Sequence, residues 1–280
     1  MHNIDPCIIC NTSRWRLIHQ RGPWRYLRCR GCGLVTLYPK PTPRELIKSY
    51  DHYLPVRPDQ IDQWSAMMKP VIQTSAGMIE SQARTRSGRI LDVGCGYGFF
   101  LREMMRRGWQ VEGIEISPIG RAYAVQKWGM EIHSRPLEEL GLPENRFDVI
   151  TLFYVIEHVS DPIGLMKEVH RILKPGGLIF LRWPHSTPII RFIGPFSRYL
   201  DLYHTPYHLF DFNPSTIKKL LAHCGFADPQ TRIGGHTLPH DRLGRWASIF
   251  FGRLGETLFS LSGGNIILPG VSKSTYGFKD

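Results

Sequence analysis

No apolar stretch of this 280-residue chain approaches the roughly 18 residues that a membrane-spanning helix requires. Its first residues also lack the charged-then-apolar pattern of a secretory leader. Both absences lead us to expect a cytoplasmic protein. Acidic residues are in short supply: 24 Asp and Glu face 35 Lys and Arg, for a formal charge of +11. The deficit is local, because residues 1–50 carry nine Lys and Arg against Asp5 and Glu45, which is +7 of the +11. A basic front end can attract phosphates or acidic partners, or it can be a solvated face with no ligand. Cysteine is sparse, with six in the chain, yet four of the six fall within the first 32 residues. With 42% hydrophobic and 21% charged residues, the composition is that of a globular protein, which excludes a disordered or fibrous chain. The length suits one large domain or one domain with a small appendage.

The four early cysteines form two pairs, Cys7 with Cys10 and Cys29 with Cys32, each of the form C-x2-C and separated by eighteen residues. Brought together by a hairpin, they supply four thiolates in a tetrahedron, the arrangement of a closed structural Zn²⁺ site. Gly31 and Gly33 suit the tight turns whose N–H groups point at sulfur. A disulfide framework is the competing reading; the two-residue spacing and the expected compartment disfavour it. A ribbon over residues 1–38 is too short to build its own apolar core, so metal binding would supply most of its folding energy. Cys95 and Cys224 read as small buried residues rather than reactive thiols.

Residues 90–100, ILDVGCGYGFF, read as a buried strand entering a glycine turn, with a helix from Phe99 to Arg107 beyond. Glycine at Gly94, Gly96 and Gly98 lets the backbone bend sharply and lie against a ligand, and the following helix start points N–H groups at it. What the turn lacks is as informative. Its spacing is not the G-x-G-x-x-G of dinucleotide sites, and no Lys-Ser or Lys-Thr follows as in a P-loop. A second strand over 111–116 carries Glu115 near its end, where a carboxylate can accept hydrogen bonds from both hydroxyls of a ribose.

The pattern D-x-G-x-G-x-G with an acid further on resembles the class I S-adenosylmethionine-dependent methyltransferases. The resemblance continues in RFDVITL at 146–152, VIEHV at 155–159 and LKPGGLIF at 173–180, and covers about residues 88 to 235. It implies an α/β fold with a doubly wound Rossmann-like sheet whose last strand is antiparallel. The helix signals agree, with Ser117-Pro118, Asp161-Pro162 and Asn213-Pro214 as N-terminal caps. By resemblance, Gly94, Gly96 and Gly98 lie under the methionine part of S-adenosylmethionine, supported by Asp92. Glu115 holds the ribose, Ile116 packs on the adenine, Pro136 and Leu137 border the adenine edge beside Arg135, and Phe153 faces the methyl group.

Methyl transfer from a sulfonium is an in-line displacement that needs a base only if the nucleophile is protonated. His208 is the first candidate base or acceptor ligand, in the dense run 203–210 (YHTPYHLF), followed by His158, beside Glu157, and His204. Metal binding by His204 and His208 lacks a carboxylate at ligand spacing other than Asp211. Trp183 is expected to wall the pocket. Residues 39–87 read as a linker or helical lid with Pro55, Pro58 and Pro70 as breakers and Tyr50, Tyr53 and Trp64 as lid aromatics; the alternative is aromatics packing the ribbon on the core. Within the methyltransferase domain, 88–280, residues 241–261 repeat apolar positions at helical spacing. Three readings stay open for them: packing on the core, an acceptor pocket or dimer face, and a basic helix on an anionic membrane. Residues 263–270 are expected to form the final strand.

The resemblance thus implies methyl transfer to a small or medium-sized biosynthetic acceptor, anionic or hydrophobic: a sugar, a glycan precursor or a secondary metabolite. The run C-G-L-V…P-x-P at 32–43 resembles a module of bacterial small-molecule and polysaccharide methyltransferases. Two alternatives stand beside it. One is an RNA base methyltransferase that uses the basic ribbon to bind RNA, and the other a non-catalytic cofactor-binding assembly protein.

Overall fold

The computed structural model describes residues 4–42, 45–46, 54–199, 201–268 and 272–280; Tyr50 and Tyr53 lie outside them. Strands β4 (Arg89–Val93), β5 (Gln110–Ile114), β6 (Glu131–His133), β7 (Phe147–Phe153) and β8 (Leu173–Trp183) are mutually parallel. Helices α2 (Phe99–Arg106), α3 (Pro118–Trp128) and α4 (Pro162–Ile172) alternate with them. The run FDVITLF of β7 is nearly continuous in apolar residues because helices cover both faces of a parallel sheet. The sheet order is β10-β11-β8-β7-β4-β5-β6, with β10 (Phe226–Ile233) paired antiparallel to β11 (Lys273–Lys279) and β11 antiparallel to β8. This is the expected doubly wound sheet with an antiparallel last strand. That strand is Lys273–Lys279 rather than 263–270: Gly263 and Gly264 take positive φ in the turn that closes the preceding helix.

Two of the three caps form where the sequence places them, whereas the Ser117 side chain makes no cap bond at the start of α3. Asp161 accepts the Gly164 N–H at the start of α4, and Asn213 forms a capping box with Thr216 at α6 (Pro214–His223). Two proline expectations differ. Pro58 opens α1 (Pro58–Gln82) at its first turn, where a missing N–H costs nothing, and Pro70 lies inside α1 without ending it. Packing overrides the local penalty, since Val71, Ala76 and Ile79 on one face of α1 are fully buried.

The cysteine-bearing front end is not an independent appendage. Strands β1 (Trp15–Arg21), β2 (Trp24–Cys29) and β3 (Val35–Tyr38) form an antiparallel sheet completed by β9 (Phe210–Asp211), through the pairs Val35↔Asp211 and Thr36↔Phe210. Tyr26 stacks on Tyr203 at 4.0 Å between ring centroids and its hydroxyl lies 2.9 Å from that of Thr205. One apolar cluster runs from Cys7, Leu34 and Leu37 through Phe210 and Phe212 to Leu152 and Leu181. A short ribbon cannot fill its own core, so it borrows one from the larger sheet.

Helix α7 (Arg242–Leu261) forms over the expected segment, with Asp241 as its cap. Its buried residues are Gly252 and Gly255. The apolar row faces outward instead of packing on the core: Trp246 is 62% and Phe250 48% exposed, and the two rings stack at 5.3 Å. Among the described residues no helix is long and apolar enough to cross a membrane.

The Tyr26–Tyr203 stack gives a direct check. Tyr26→Ala should cost about 3–5 kcal/mol of stability and Tyr26→Phe about 1 kcal/mol, read by urea unfolding. A loss below about 1 kcal/mol for the alanine variant would show that the ribbon is not anchored there.

Candidate functional site

The glycine turn is shaped by its neighbours. The N–H groups of Gly94 and Cys95 both donate to the Ile114 carbonyl, at 2.8 and 3.0 Å, which folds the loop back over β5. Gly94 has φ +76°, and a Cβ there would stand 2.5 Å from Val155 Cγ2, so only glycine fits without displacing the segment after β7. Gly96 donates its N–H to Glu115 Oε2 at 2.7 Å, and Ser117 donates to Oε1 at 2.7 Å. The Glu115 carboxylate is therefore buried and oriented by two backbone amides at the C-terminal end of β5. Burial pushes its pKa up, while the two N–H groups act in the opposite direction.

Asp92 sits one strand over, opposite Thr151 of β7 in the sheet register. The Thr151 hydroxyl donates to its Oδ1 at 2.7 Å. Complete burial outweighs that bond and pushes the Asp92 carboxyl up to about 8. Thr151 is the partner that sequence reasoning missed; its position opposite Asp92 emerges only once the strands pair.

Asp92 and Glu115 line a cavity of about 670 Å³ at the C-terminal edge of the sheet, within the size range of small-molecule sites. Asp92, Gly94, Gly96, Glu115 and Ile116 form one side of it. Pro136 and Leu137 line it as well, as do Phe153 and Phe100, whose ring centroids lie 4.6 Å apart. Trp64 and Met68 of α1 also line it, so one of the aromatics expected in the lid lies at the cavity. Gly98 lies behind it: a Cβ there would meet Met130 Sδ at 2.9 Å and Ala124 at 3.2 Å, so its role is close packing at the start of α2. Trp183 does not line it. Its ring is fully buried in the sheet core and donates to Thr275 Oγ1 at 3.0 Å.

The three candidate histidines come together. His158 lines the cavity and sits 4.7 Å, centroid to centroid, from His208, which in turn lies 4.9 Å from His204. His208 is buried behind His158, and His204 is exposed. Burial holds His158 down at about 4 and His208 well below its usual value. Both are neutral imidazoles near pH 7, weak as general bases but available as lone-pair donors. Asp211 is committed elsewhere: its oxygens accept the Ser186 and Thr187 amides at 2.9 Å each, at the start of α5 (Thr187–Ile193).

In the ribbon, Cys7 and Cys32 sulfurs lie 3.5 Å apart and Cys10 and Cys29 3.4 Å apart, and all four cluster together. The Gly31 N–H donates to Cys29 Sγ at 3.3 Å, and a Cβ on Gly31 would meet Cys10 Sγ at 2.9 Å.

A parallel α/β sheet with a ligand cavity over a glycine turn, and an acid ending the neighbouring strand, defines the Rossmann-like class of nucleotide-cofactor proteins. Within that class, residues 72–230, more than half of the chain, match the family described as "Methyltransferase domain", and the chain belongs to it. Among curated relatives, the ubiquinone biosynthesis O-methyltransferase of Acinetobacter baumannii (strain ACICU) is 36% identical over 118 residues, 39% of this chain and 50% of that protein. Its namesake from Pseudomonas aeruginosa (strain LESB58) is 31% identical over 117 residues, again 39% and 50%. The chain thus spans about half the length of these relatives. Among solved structures, the [4+2]-cyclase SpnF superposes with a TM-score of 0.59 at 17% identity, covering 86% of this chain and 98% of that one. A possible histamine N-methyltransferase of Thermotoga maritima gives 0.56 at 16% identity, covering 84% and 100%. At such identities these structures establish the fold.

Asp92 makes a pH-dependent contribution that can be measured. Its folded-state value is raised from 3.8 to about 8, so it favours the folded chain most fully below about pH 4 and that contribution is lost as pH rises through about 8. Asp92→Asn should therefore flatten the fall in melting temperature between pH 4 and 8 relative to the unaltered chain. Parallel profiles for the two proteins would show that the carboxyl is not desolvated.

Proposed function

We propose that this chain transfers a methyl group from S-adenosylmethionine to a small or medium-sized biosynthetic acceptor such as a sugar, a glycan precursor or a secondary metabolite. The observation that carries this reading is the buried Glu115 carboxylate, held by the Gly96 and Ser117 amides on the edge of the 670 Å³ cavity. In this reading Glu115 accepts the ribose hydroxyls, Ile116 packs on the adenine with Pro136 and Leu137 at its edge, and the Gly94–Gly96 backbone lies under the amino-acid part. The cofactor, when bound, supplies an activated methyl on a sulfonium. The chain's own contribution is to orient the two reactants and keep water out, for which the apolar side chains of Trp64, Met68 and Phe153 in the cavity lining are suited.

A second cavity supports a partly hydrophobic acceptor. It holds about 700 Å³ between α5 and α7, lined by Pro188, Ile189, Phe192 and Phe251. Arg182 on its wall donates to the hydroxyl of Tyr154 on the first cavity at 2.9 Å. The relatives named as O-methyltransferases favour an oxygen as the methylated atom. The exposed row of Trp246 and Phe250 beside Arg242, Arg245 and Arg253 supports contact of α7 with an anionic membrane surface.

We further propose that Cys7, Cys10, Cys29 and Cys32 hold a structural Zn²⁺. Four sulfurs at these separations, with a backbone N–H donated to one of them, suit a closed thiolate site with no position for substrate. The ion would fix the ribbon that carries β3, and β3 in turn holds β9.

Calorimetry with S-adenosylmethionine tests the main reading. Loss of a charged hydrogen-bonding group costs about 1.5–3 kcal/mol, so Glu115→Ala should weaken binding roughly 10- to 100-fold. No measurable binding by the unaltered chain, or equal binding by the variant, would overturn it. For the ribbon, Cys10→Ser should release one zinc per chain and lower the melting temperature. Retention of zinc by that variant would exclude the four-thiolate site.

A further inference from the structure

The polar groups behind the cofactor cavity are poorly satisfied in a way that methyl transfer alone does not explain. Glu157 is 1% exposed, and neither carboxylate oxygen has a hydrogen-bond partner. A buried carboxylate in that state is costly. The charged neighbour that acts on it, Asp211, is of like sign. His208, 6% exposed, has its Nδ1 without a partner as well. His158, 5% exposed, completes the group, and one ligand atom from each of the three lies within 4.8 Å of the others.

The arrangement is built rather than incidental. The Glu157 carbonyl accepts the N–H groups of Leu209 and Phe210, at 2.8 and 3.2 Å, which zips the segment after β7 to the segment carrying His208. His158 Nδ1 faces the Tyr207 carbonyl at 2.9 Å. A proton on Nδ1 donated to that carbonyl leaves Nε2 as the lone-pair atom, the tautomer that outer hydrogen bonds impose on metal-binding histidines. Two neutral imidazoles and one carboxylate form a donor set suited to divalent first-row transition metals. Ligand atoms sharing one such ion stand about 3.3 Å apart, so the side chains need to draw in only modestly.

We propose that Glu157, His158 and His208 form a binding site for a divalent transition-metal ion, distinct from the cysteine cluster and open on the side of the cofactor cavity. The site commits two of the three candidate histidines to coordination. Because His158 lines the cavity, an ion here would have an acceptor oxygen within reach as a further ligand and could make its hydroxyl proton easier to lose. That last consequence rests on the methyl-transfer reading; the metal site does not.

Titration with Mn²⁺, followed by the electron paramagnetic resonance of the free ion, tests the site in the full chain with zinc in its ribbon. Mn²⁺ prefers oxygen and nitrogen donors over thiolates, so the cysteine cluster should not compete for it. The expected result is saturable binding of one Mn²⁺ per chain, weakened at least tenfold in both Glu157→Gln and His208→Asn. Because either variant could perturb the fold, Co²⁺ added to the unaltered zinc-loaded chain provides a second reading, by strongly shifted histidine N–H proton resonances in its NMR spectrum. No saturable Mn²⁺ binding, equal affinity in the variants, or unshifted histidine protons with Co²⁺ would each overturn the proposal. S-adenosylmethionine affinity measured on the same samples separates failure of the metal site from failure of the methyl-transfer reading.

Discussion

The structure depends most on a short length of backbone pairing. Two residues, Phe210 and Asp211, pair with β3 of the cysteine-bearing sheet, while the amides of Leu209 and Phe210 donate to the Glu157 carbonyl beside the cavity. The same few residues thus join the front end of the chain to the C-terminal edge of the large sheet. The Tyr26–Tyr203 stack and the shared apolar cluster add side-chain packing to that seam. The ribbon's position follows: it fixes the loop that presents His204 and His208, and the metal proposed for it would act on the site at one remove.

Burial sets the chemistry on the other side of the seam. Asp92, Glu115 and Glu157 are all buried, and burial is the largest influence raising each carboxyl. Only two have strong donors, the Thr151 hydroxyl for Asp92 and two backbone amides for Glu115. Glu157 lacks one, and the contrast singles it out. The histidines show the complementary effect, since the same burial that raises a carboxyl depresses an imidazole. A base drawn from His158 or His208 would be weak, whereas a neutral nitrogen donor is what coordination needs.

Much of the larger domain is legible in the sequence because its signals are local. The glycine turn, Glu115 at the end of the next strand and the caps at Asp161 and Asn213 are each set by a few adjacent residues. Four cysteines at paired spacing likewise announce their cluster. Pairings between distant segments are not legible: Thr151 beside Asp92, β9 beside β3, and Glu157 beside His208 arise only when strands far apart in the chain meet. Gly98 reads as part of a ligand cradle by spacing, but the packing of Met130 and Ala124 against it decides its role. Trp183 and helix α7 show the reverse cases. The apolar ring expected at the pocket is enclosed by the sheet, and the apolar row with core packing among its readings faces outward.

The proposed function requires the cavity over the glycine turn to be a nucleoside-cofactor site organised by Glu115. A crystal structure of the chain with S-adenosylhomocysteine tests it most directly. The expected result is the ribose hydroxyls on the Glu115 carboxylate, the adenine on Ile116 with Leu137 at its edge, and the sulfur facing Phe153. A ligand bound elsewhere, or one that leaves Glu115 bonded only to Gly96 and Ser117, would contradict it.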